Sequence, residues 1–492
     1  MAIPDARIGI RDVPWRRTLF SLPVLLALAL ILRVIFLLLA GVRAPLAGDE
    51  SQYQQIAENL AAGRGFIQNN NPFFPGQILY AWQAPLYPLL LGILYRLLSP
   101  DPLVGKLFGI LLGVVTVAVV YDLARRIWRP RGQTAGESVG AAGSSGENVA
   151  LLGGFAVAAY PGFLTNAHLL LSETLFAFLL VAAFDLVIAA EQAAERQARG
   201  GRPAMLWIAA GGTWGAAALT RGIALYFALP LVLWGVWLAW RDRRRLGSAL
   251  GSAALFVVAV AAVMLPWTVR NYATFHQFVL LETKGGVNFW LGNSPDTPAD
   301  LIRNVWKVGV REPMLSVLPT DEVGRDRAGY SLGLDFVREK PLIFIERMPV
   351  KFADFWGFER NLVDVAQATR DGKAGGWSSI SKAAADLLSD GAYVVLMLLA
   401  IGGFVFAPND RYKLLFAGFV AYFVGLHLVV FGDGRFHFPL VPVLGMYAAW
   451  FAVSGVPARA RRGLRPGAAL VLALVFVLVW AHEVAAAAAV FR

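Results

Sequence analysis

The chain contains no cysteine in 492 residues. Disulfides, thiolate metal sites and a cysteine nucleophile are thereby excluded, and the absence suits a protein facing an oxidising compartment. Charge is scarce too. Asp, Glu, Lys and Arg make up 16% of residues against 57% hydrophobic, and mean hydropathy is +0.58. A water-soluble domain cannot hide that much apolar surface. There are five His, and no His/Asp spacing demands a metal, so no cofactor is assigned, although carboxylates leave a divalent cation open. No internal repeat is evident, which argues against an inverted-repeat transporter.

What the sequence has is apolar runs of about 20 residues, the length needed to cross ~30 Å of hydrocarbon as helix. They lie near 18–40, 84–98, 103–123, 149–166, 168–190, 204–220, 222–240, 248–266, 391–407, 412–431, 436–455 and 467–488. The first follows Arg16 and Arg17, yet its apolar part exceeds a signal-peptide core, so it is read as an uncleaved helix. The expected fold class is an all-α polytopic membrane protein of about 11–13 transmembrane helices with two long outer loops.

Net charge is +11, and the basic residues cluster in short loops, as a membrane topology requires and nucleic-acid binding does not. The cytoplasmic marks are Arg7 to Arg17, Arg125 to Arg131, Arg196 to Arg202, Arg241 to Arg245, Arg411 with Lys413, and Arg459 to Arg465. They agree with one another only if 84–123 crosses an odd number of times, so 84–98 is expected to be re-entrant or interfacial. Loops 41–83 and 267–390 then both lie outside. Residues 132–148, GQTAGESVGAAGSSGEN, read as a flexible linker. The chain divides into a core at 1–455 and a C-terminal membrane segment at 456–492.

That topology gathers polar residues at one membrane face. GDESQY puts Asp49 and Glu50 just past the first helix, and YPGFLTNAH leads to His168 and Glu173. The turn LTRG carries Arg221, GDGRFHFPL carries Arg435 and His437, and the long outer loop opens with Arg270 and Lys284. Charges edging a bilayer are costly and tend to be functional. Here they suit a ligand with an apolar tail and an anionic head. Each residue also has a plainer reading. Asp49 followed by Gln52 could cap the helix ESQYQQIAENLAA. Glu173 could complement a helix dipole, and Arg221 and Arg435 could be interfacial anchors. Lys284 could sit in a turn, His168 could be structural, and Tyr53, on the Asp49 face of the helix, could be an interfacial aromatic. Arg33 is expected to snorkel or to pair with an acid, and Trp128, Trp240 and Trp267 to form interfacial belts.

The stretches GDESQYQQIAENLAAGRGF, WQAPLYPLLLGILYRL, LSETLF, ALTRG, PWTVRNYATFHQFVLLETKGGVNFWLGNSP and GRFHFPLVPVL resemble, in order and spacing, bacterial GT-C glycosyltransferases of the protein O-mannosyltransferase and aminoarabinose-transferase type. The resemblance covers most of 18–455. It implies a GT-C fold in the bacterial inner membrane, with an extracytoplasmic site and a polyprenyl-phosphate-linked sugar as donor. The acceptor would be a protein, glycolipid or polymer. By resemblance, Asp49 and Glu50 match the catalytic Asp-Glu pair, and Glu173 matches a second acid of the site. Tyr53 and His168 are placed with Glu173 at the acceptor or sugar. Many relatives carry a basic residue where this chain has Gln83, so Lys284, Arg270, Arg435 or Arg221 is expected to hold the donor phosphate.

A phosphate leaves readily, so the chemistry needs cations for its charge and a base for an acceptor hydroxyl. Adjacent residues on a helix point about 100° apart, so Asp49 and Glu50 do not flank one bond as a retaining pair does. Asp49 is therefore expected to be the general base of an inverting reaction. The alternatives are a polytopic transporter and an O-antigen ligase-like or polymerase-like enzyme.

Overall fold

In the computed structural model, residues 21–46, 48–128, 141–196, 202–243, 245–298, 308–359 and 379–490 are described. They are almost wholly helical. In chain order the helices are α1 (Leu22–Ala40), α2 (Glu50–Ala61), α3 (Leu86–Leu97), α4 (Pro102–Trp128), α5 (Ala141–Ala159), α6 (Pro161–His168), α7 (Glu173–Glu195), α8 (Arg202–Thr220), α9 (Ile223–Arg241), α10 (Leu246–Phe275), α11 (Gly285–Gly292), α12 (Val308–Ser316), α13 (Glu322–Glu339), α14 (Pro341–Phe355), α15 (Ser379–Phe406), α16 (Arg411–Val429), α17 (Val441–Ser454) and α18 (Leu464–Val490). A 3₁₀ turn at Gly434–Leu440 leads directly into α17.

Among the described residues nine helices are long and apolar enough to cross a membrane, or up to ten if the pair α5 and α6, bent by 51°, counts as one span. Helix α8 has the same 19-residue length as several of these, but its Gly and Trp content lowers its hydropathy. It packs along both α7 and α10. Gly211 and Gly215 make this possible, because a Cβ on Gly211 would sit 2.3 Å from the Phe256 carbonyl oxygen. Ten plus one gives eleven, within the expected range. Helix α3, at 12 residues and about 18 Å, is too short to span. It lies instead against α2, in keeping with its interfacial reading.

Three expectations are corrected. The linker reading of 132–148 fails in its second half, since α5 is already helical from Ala141; the rest of it, like the mark Arg7 to Arg17, lies outside the described residues. Arg33 neither snorkels nor meets an acid. Pro161 has no N–H to give the Val157 carbonyl, and the buried Arg33 guanidinium bonds Val157 O at 3.3 Å and Ala158 O at 3.2 Å. Trp267 is buried, donating to Leu281 O at 2.7 Å, and is no belt residue.

The outer loops are ordered by each other. The Tyr80 and Ala81 amides donate to the Glu322 carboxylate at 2.7 and 2.8 Å, and the Thr283 amide donates to Ala81 O at 2.9 Å. Loops 41–83 and 267–390 thus form one cap at one end of the bundle. The C-terminal segment joins it: the Glu483 carboxylate accepts from the Phe358 amide at 2.8 Å, and Trp480 donates to Trp356 O at 3.1 Å.

Candidate active site

Between the cap and the helix ends lies a cavity of about 1420 Å³. Five elements present charged groups to it. Asp49 comes from the start of α2, Glu173 from the first turn of α7, and Arg221 from the turn joining α8 to α9. Lys284 comes from the residue before α11, and Arg435 from the 3₁₀ turn.

Asp49 occupies the N-cap position of α2 but makes no capping bond. Its carboxylate turns into the cavity instead. There Oδ1 accepts from Gln52 Nε2 at 3.1 Å, and Oδ2 faces Arg435 at 3.4 Å. Arg435 is aimed by Asp433, whose side chain accepts from the Arg435 amide at 3.0 Å.

Glu173, 3% exposed, pairs with Arg221 at 2.9 Å. Burial acts to lower the pKa of the Arg221 guanidinium, but Glu173 outweighs it and the net shift is upward. Lys284 donates to Gln83 at 2.9 Å and sits 3.6 Å from Glu282. Burial again acts to lower its pKa, and Glu282, with Tyr53 and Asp49 adding to it, raises it overall. Both cations are therefore held charged around neutrality. Tyr53 lines the cavity, and burial pushes its phenol up, so it stays neutral and donates to Ser172 Oγ at 3.2 Å.

The rest of the wall is largely apolar, including Phe176, Ile223, Leu225 and Leu426. Tyr226 lines it and is 62% exposed. Leu229 and Leu233, on the same face of α9, are also exposed. The cavity therefore runs from a charged end to an apolar flank at the outside of the bundle.

Three residues expected at the site lie away from this cavity. Glu50 is buried and accepts from the Leu170 amide at 2.9 Å, so it ties α2 to the turn before α7. Its neighbour Asp49 faces the other way, as helical geometry requires. His168 turns toward α4, with Nε2 3.5 Å from Lys106 Nζ, and packs on Phe36. Arg270 donates to Tyr80 O at 2.7 Å and Phe66 O at 3.1 Å and stacks on Trp267, which staples the cap to α10.

Other residues enter that the sequence did not point to. Gln83 and Glu282 line the cavity, as do His482 and Glu483 of α18. Gln52, which the sequence offered only as a helix-cap partner, lines it too. Among the described residues no group of His, Asp and Glu is arranged to hold a metal ion.

This arrangement of helices has known counterparts. Over 93% of its length the chain is similar to the archaeal oligosaccharyltransferase AglB from Archaeoglobus fulgidus, solved with an inhibitory peptide and a dolichol-phosphate, at TM-score 0.51 and 15% identity. It covers 54% of that chain, so it spans about half the archaeal protein's length. The apo form of the same enzyme gives TM-score 0.52 at 16% identity, over 94% of this chain and 56% of that one. ArnT from Cupriavidus metallidurans bound to undecaprenyl phosphate is 15% identical over 88% of this chain and 78% of its own, with TM-score 0.39. No curated protein matches the sequence. The fold is the GT-C fold of integral-membrane glycosyltransferases. Within it, residues 138–282 match the family model of dolichyl-phosphate-mannose-protein mannosyltransferases. The matched stretch contains the Glu173–Arg221 pair, whereas Asp49, Lys284 and Arg435 lie outside it.

Proposed function

We propose that the chain transfers a sugar from a polyprenyl-phosphate donor to an acceptor hydroxyl, with inversion, at the extracytoplasmic face of a bacterial inner membrane. One observation carries this reading. Asp49 meets Arg435 at the charged end of a cavity whose flank is apolar and opens at the outside of the bundle. The polyprenyl chain would lie along Tyr226 and Leu225, and its phosphate would meet Lys284, Arg221 and Arg435. The dolichol-phosphate and undecaprenyl phosphate bound by the two structural neighbours are ligands of this class.

In the reaction the acceptor oxygen attacks the anomeric carbon as its proton passes to Asp49. The bond from that carbon to the phosphate oxygen breaks, and the phosphate leaves with the electron pair. Arginine and lysine donors stabilise the charge it gains in a poorly solvated site. One displacement gives inversion. Glu50, being outside the cavity, acts by holding the helix that presents Asp49 rather than as a nucleophile. Tyr53 and Glu173 shape the sugar or acceptor side, and the acceptor is a protein, a glycolipid or a polymer.

The test compares purified wild type with Asp49→Asn. Labelled sugar is followed from a panel of polyprenyl-phosphate donors, beginning with mannose, into acceptors of an envelope extract. Loss of a proton acceptor should lower transfer ~10²-fold or more while the variant elutes and melts as wild type does. Equal transfer by both proteins would sink the mechanism.

A further inference from the structure

A chain of hydrogen bonds links Lys284 to Asp49 through two buried amides. Lys284 Nζ donates to Gln83 Oε1 at 2.9 Å, Gln83 Nε2 donates to Gln52 Oε1 at 3.1 Å, and Gln52 Nε2 donates to Asp49 Oδ1 at 3.1 Å. Gln52 is 1% exposed and Gln83 3%. The ends of this chain fix its direction. An ammonium group only donates and a carboxylate only accepts, so the two amides between them have a single self-consistent orientation. If either amide were turned round, it would set two donors or two acceptors against each other.

The centre of the chain is fixed a second time. Gln68 Nε2 donates to the same Gln52 Oε1 at 2.8 Å, and Asn71 Nδ2 reaches it at 3.5 Å. Both come from the first outer loop and both are 1% exposed. With its oxygen surrounded by donors, Gln52 can present only its N–H to Asp49. That bond occupies Oδ1 and leaves Oδ2 toward Arg435 and the cavity.

We propose that Gln52 and Gln83 are positioning residues for Asp49, which hold its carboxylate in one rotamer and connect it to the cation on the phosphate side of the site. This rests on the reading of Asp49 as the base. Amide dipoles aligned from a cation toward an anion polarise one another, so the carboxylate is held by the Lys284 charge without touching it. The arrangement also gives Gln83 a task where many relatives are basic: it relays the Lys284 charge into the site.

Glutamate substitution separates positioning from packing. Gln52→Glu still accepts from Gln68, Gln83 and Asn71 but has no N–H for Asp49, and Gln83→Glu still accepts from Lys284 but has none for Gln52. Gln55→Glu is the control on the same helix, because the Gln55 oxygen only accepts, from the Asn69 and Asn70 amides.

The first readout is infrared. Protein labelled with [¹³C]aspartate is compared with labelled Asp49→Asn to isolate the Asp49 carboxylate bands. Those bands should move in Gln52→Glu and in Gln83→Glu and stay in place in Gln55→Glu. The second readout is the split between binding and turnover. The affinity for undecaprenyl phosphate should stay within about threefold, while sugar transfer falls about 10–100-fold, as a misplaced reacting group demands. Unmoved Asp49 bands in both folded variants would overturn the proposal, as would Gln83→Glu bands unmoved if Gln52→Glu does not fold. Should Asp49→Asn keep full transfer, the base reading fails, and the infrared bands alone still decide whether the amides hold the carboxylate.

Discussion

Glu173 and Arg221 form the one cavity pair in which an acid and a base share a close contact and both are largely shielded from water. Removing one partner leaves the other charge desolvated, at a cost of about 3 kcal/mol. Glu173→Gln should therefore lower the thermal midpoint of the detergent-solubilised protein by several degrees. The double variant Glu173→Gln with Arg221→Met should recover part of that loss, because no orphaned charge remains. An unchanged midpoint in Glu173→Gln would mean that the pair is solvated and that Glu173 is free for another role. At this scale much of the site was legible. Asp49, Glu173, Arg221, Lys284 and Arg435 could be found because each is a charge placed at a helix end beside a long apolar run, and such placement is rare without a purpose. Glu50, His168 and Arg270 satisfy the same rule and yet turn away from the cavity. Sequence position says which end of a helix a residue occupies; it does not say which neighbour its side chain will reach. Gln52 and Gln83 carried no signal because neutral amides look alike whether they face solvent or a carboxylate.

Among elements, the short helix α11 matters most, since it carries Lys284 at its start. It is docked on α13 through the Gly286 amide, which donates to Asp326 Oδ1 at 2.7 Å. A Cβ on Gly286 would lie 1.8 Å from the Asp326 carbonyl oxygen, so only glycine permits the approach. Burial raises the Asp326 carboxyl from 3.8 to about 6. The Gly286 amide and Arg327 oppose that rise, while Glu282 and Glu322 add to it. The folded state thus holds this proton more tightly than the unfolded chain does. Its contribution to stability is complete below pH 3.8 and is lost as pH rises through about 6. Asp326→Asn keeps an acceptor for the Gly286 amide without the charge. The thermal midpoint of wild type should therefore fall relative to that of Asp326→Asn between about pH 4 and 7, by an equivalent on the order of 1–2 kcal/mol. Parallel curves would show that the carboxyl is not desolvated. None of this could be read from the residues alone. The long outer loop 267–390 gave turn and helix signals, but its docking depends on contacts between residues 40 apart, such as Gly286 with Asp326. The membrane helices were legible because length and hydropathy are local properties, and α8 hid because its glycines serve packing against α10.

For the whole molecule the central fact is that loops 41–83 and 267–390 interlock through Glu322 and Arg270, so the cavity and both loops share one end of the bundle. Alternation of crossings predicted this, because the Arg clusters fall in the other set of loops. The face of the membrane on which the cavity opens is then fixed by a single labelled position. The absence of native cysteine makes that measurement clean. Ser331 is exposed on α13 in the cap, and Arg196 is exposed just past α7 at the opposite end. A membrane-impermeant maleimide should modify Ser331→Cys in spheroplasts without lysis, and should modify Arg196→Cys only after the membrane is broken. This pattern places the sugar donor's head group outside the cytoplasm. There the acceptor must be an envelope molecule, and the freed polyprenyl phosphate must be returned across the bilayer before it can be recharged. The reverse pattern would put Asp49 in the cytoplasm, where soluble nucleotide sugars are at hand and a lipid-linked donor loses its rationale. It would then be the donor class, rather than the fold, that had to be abandoned.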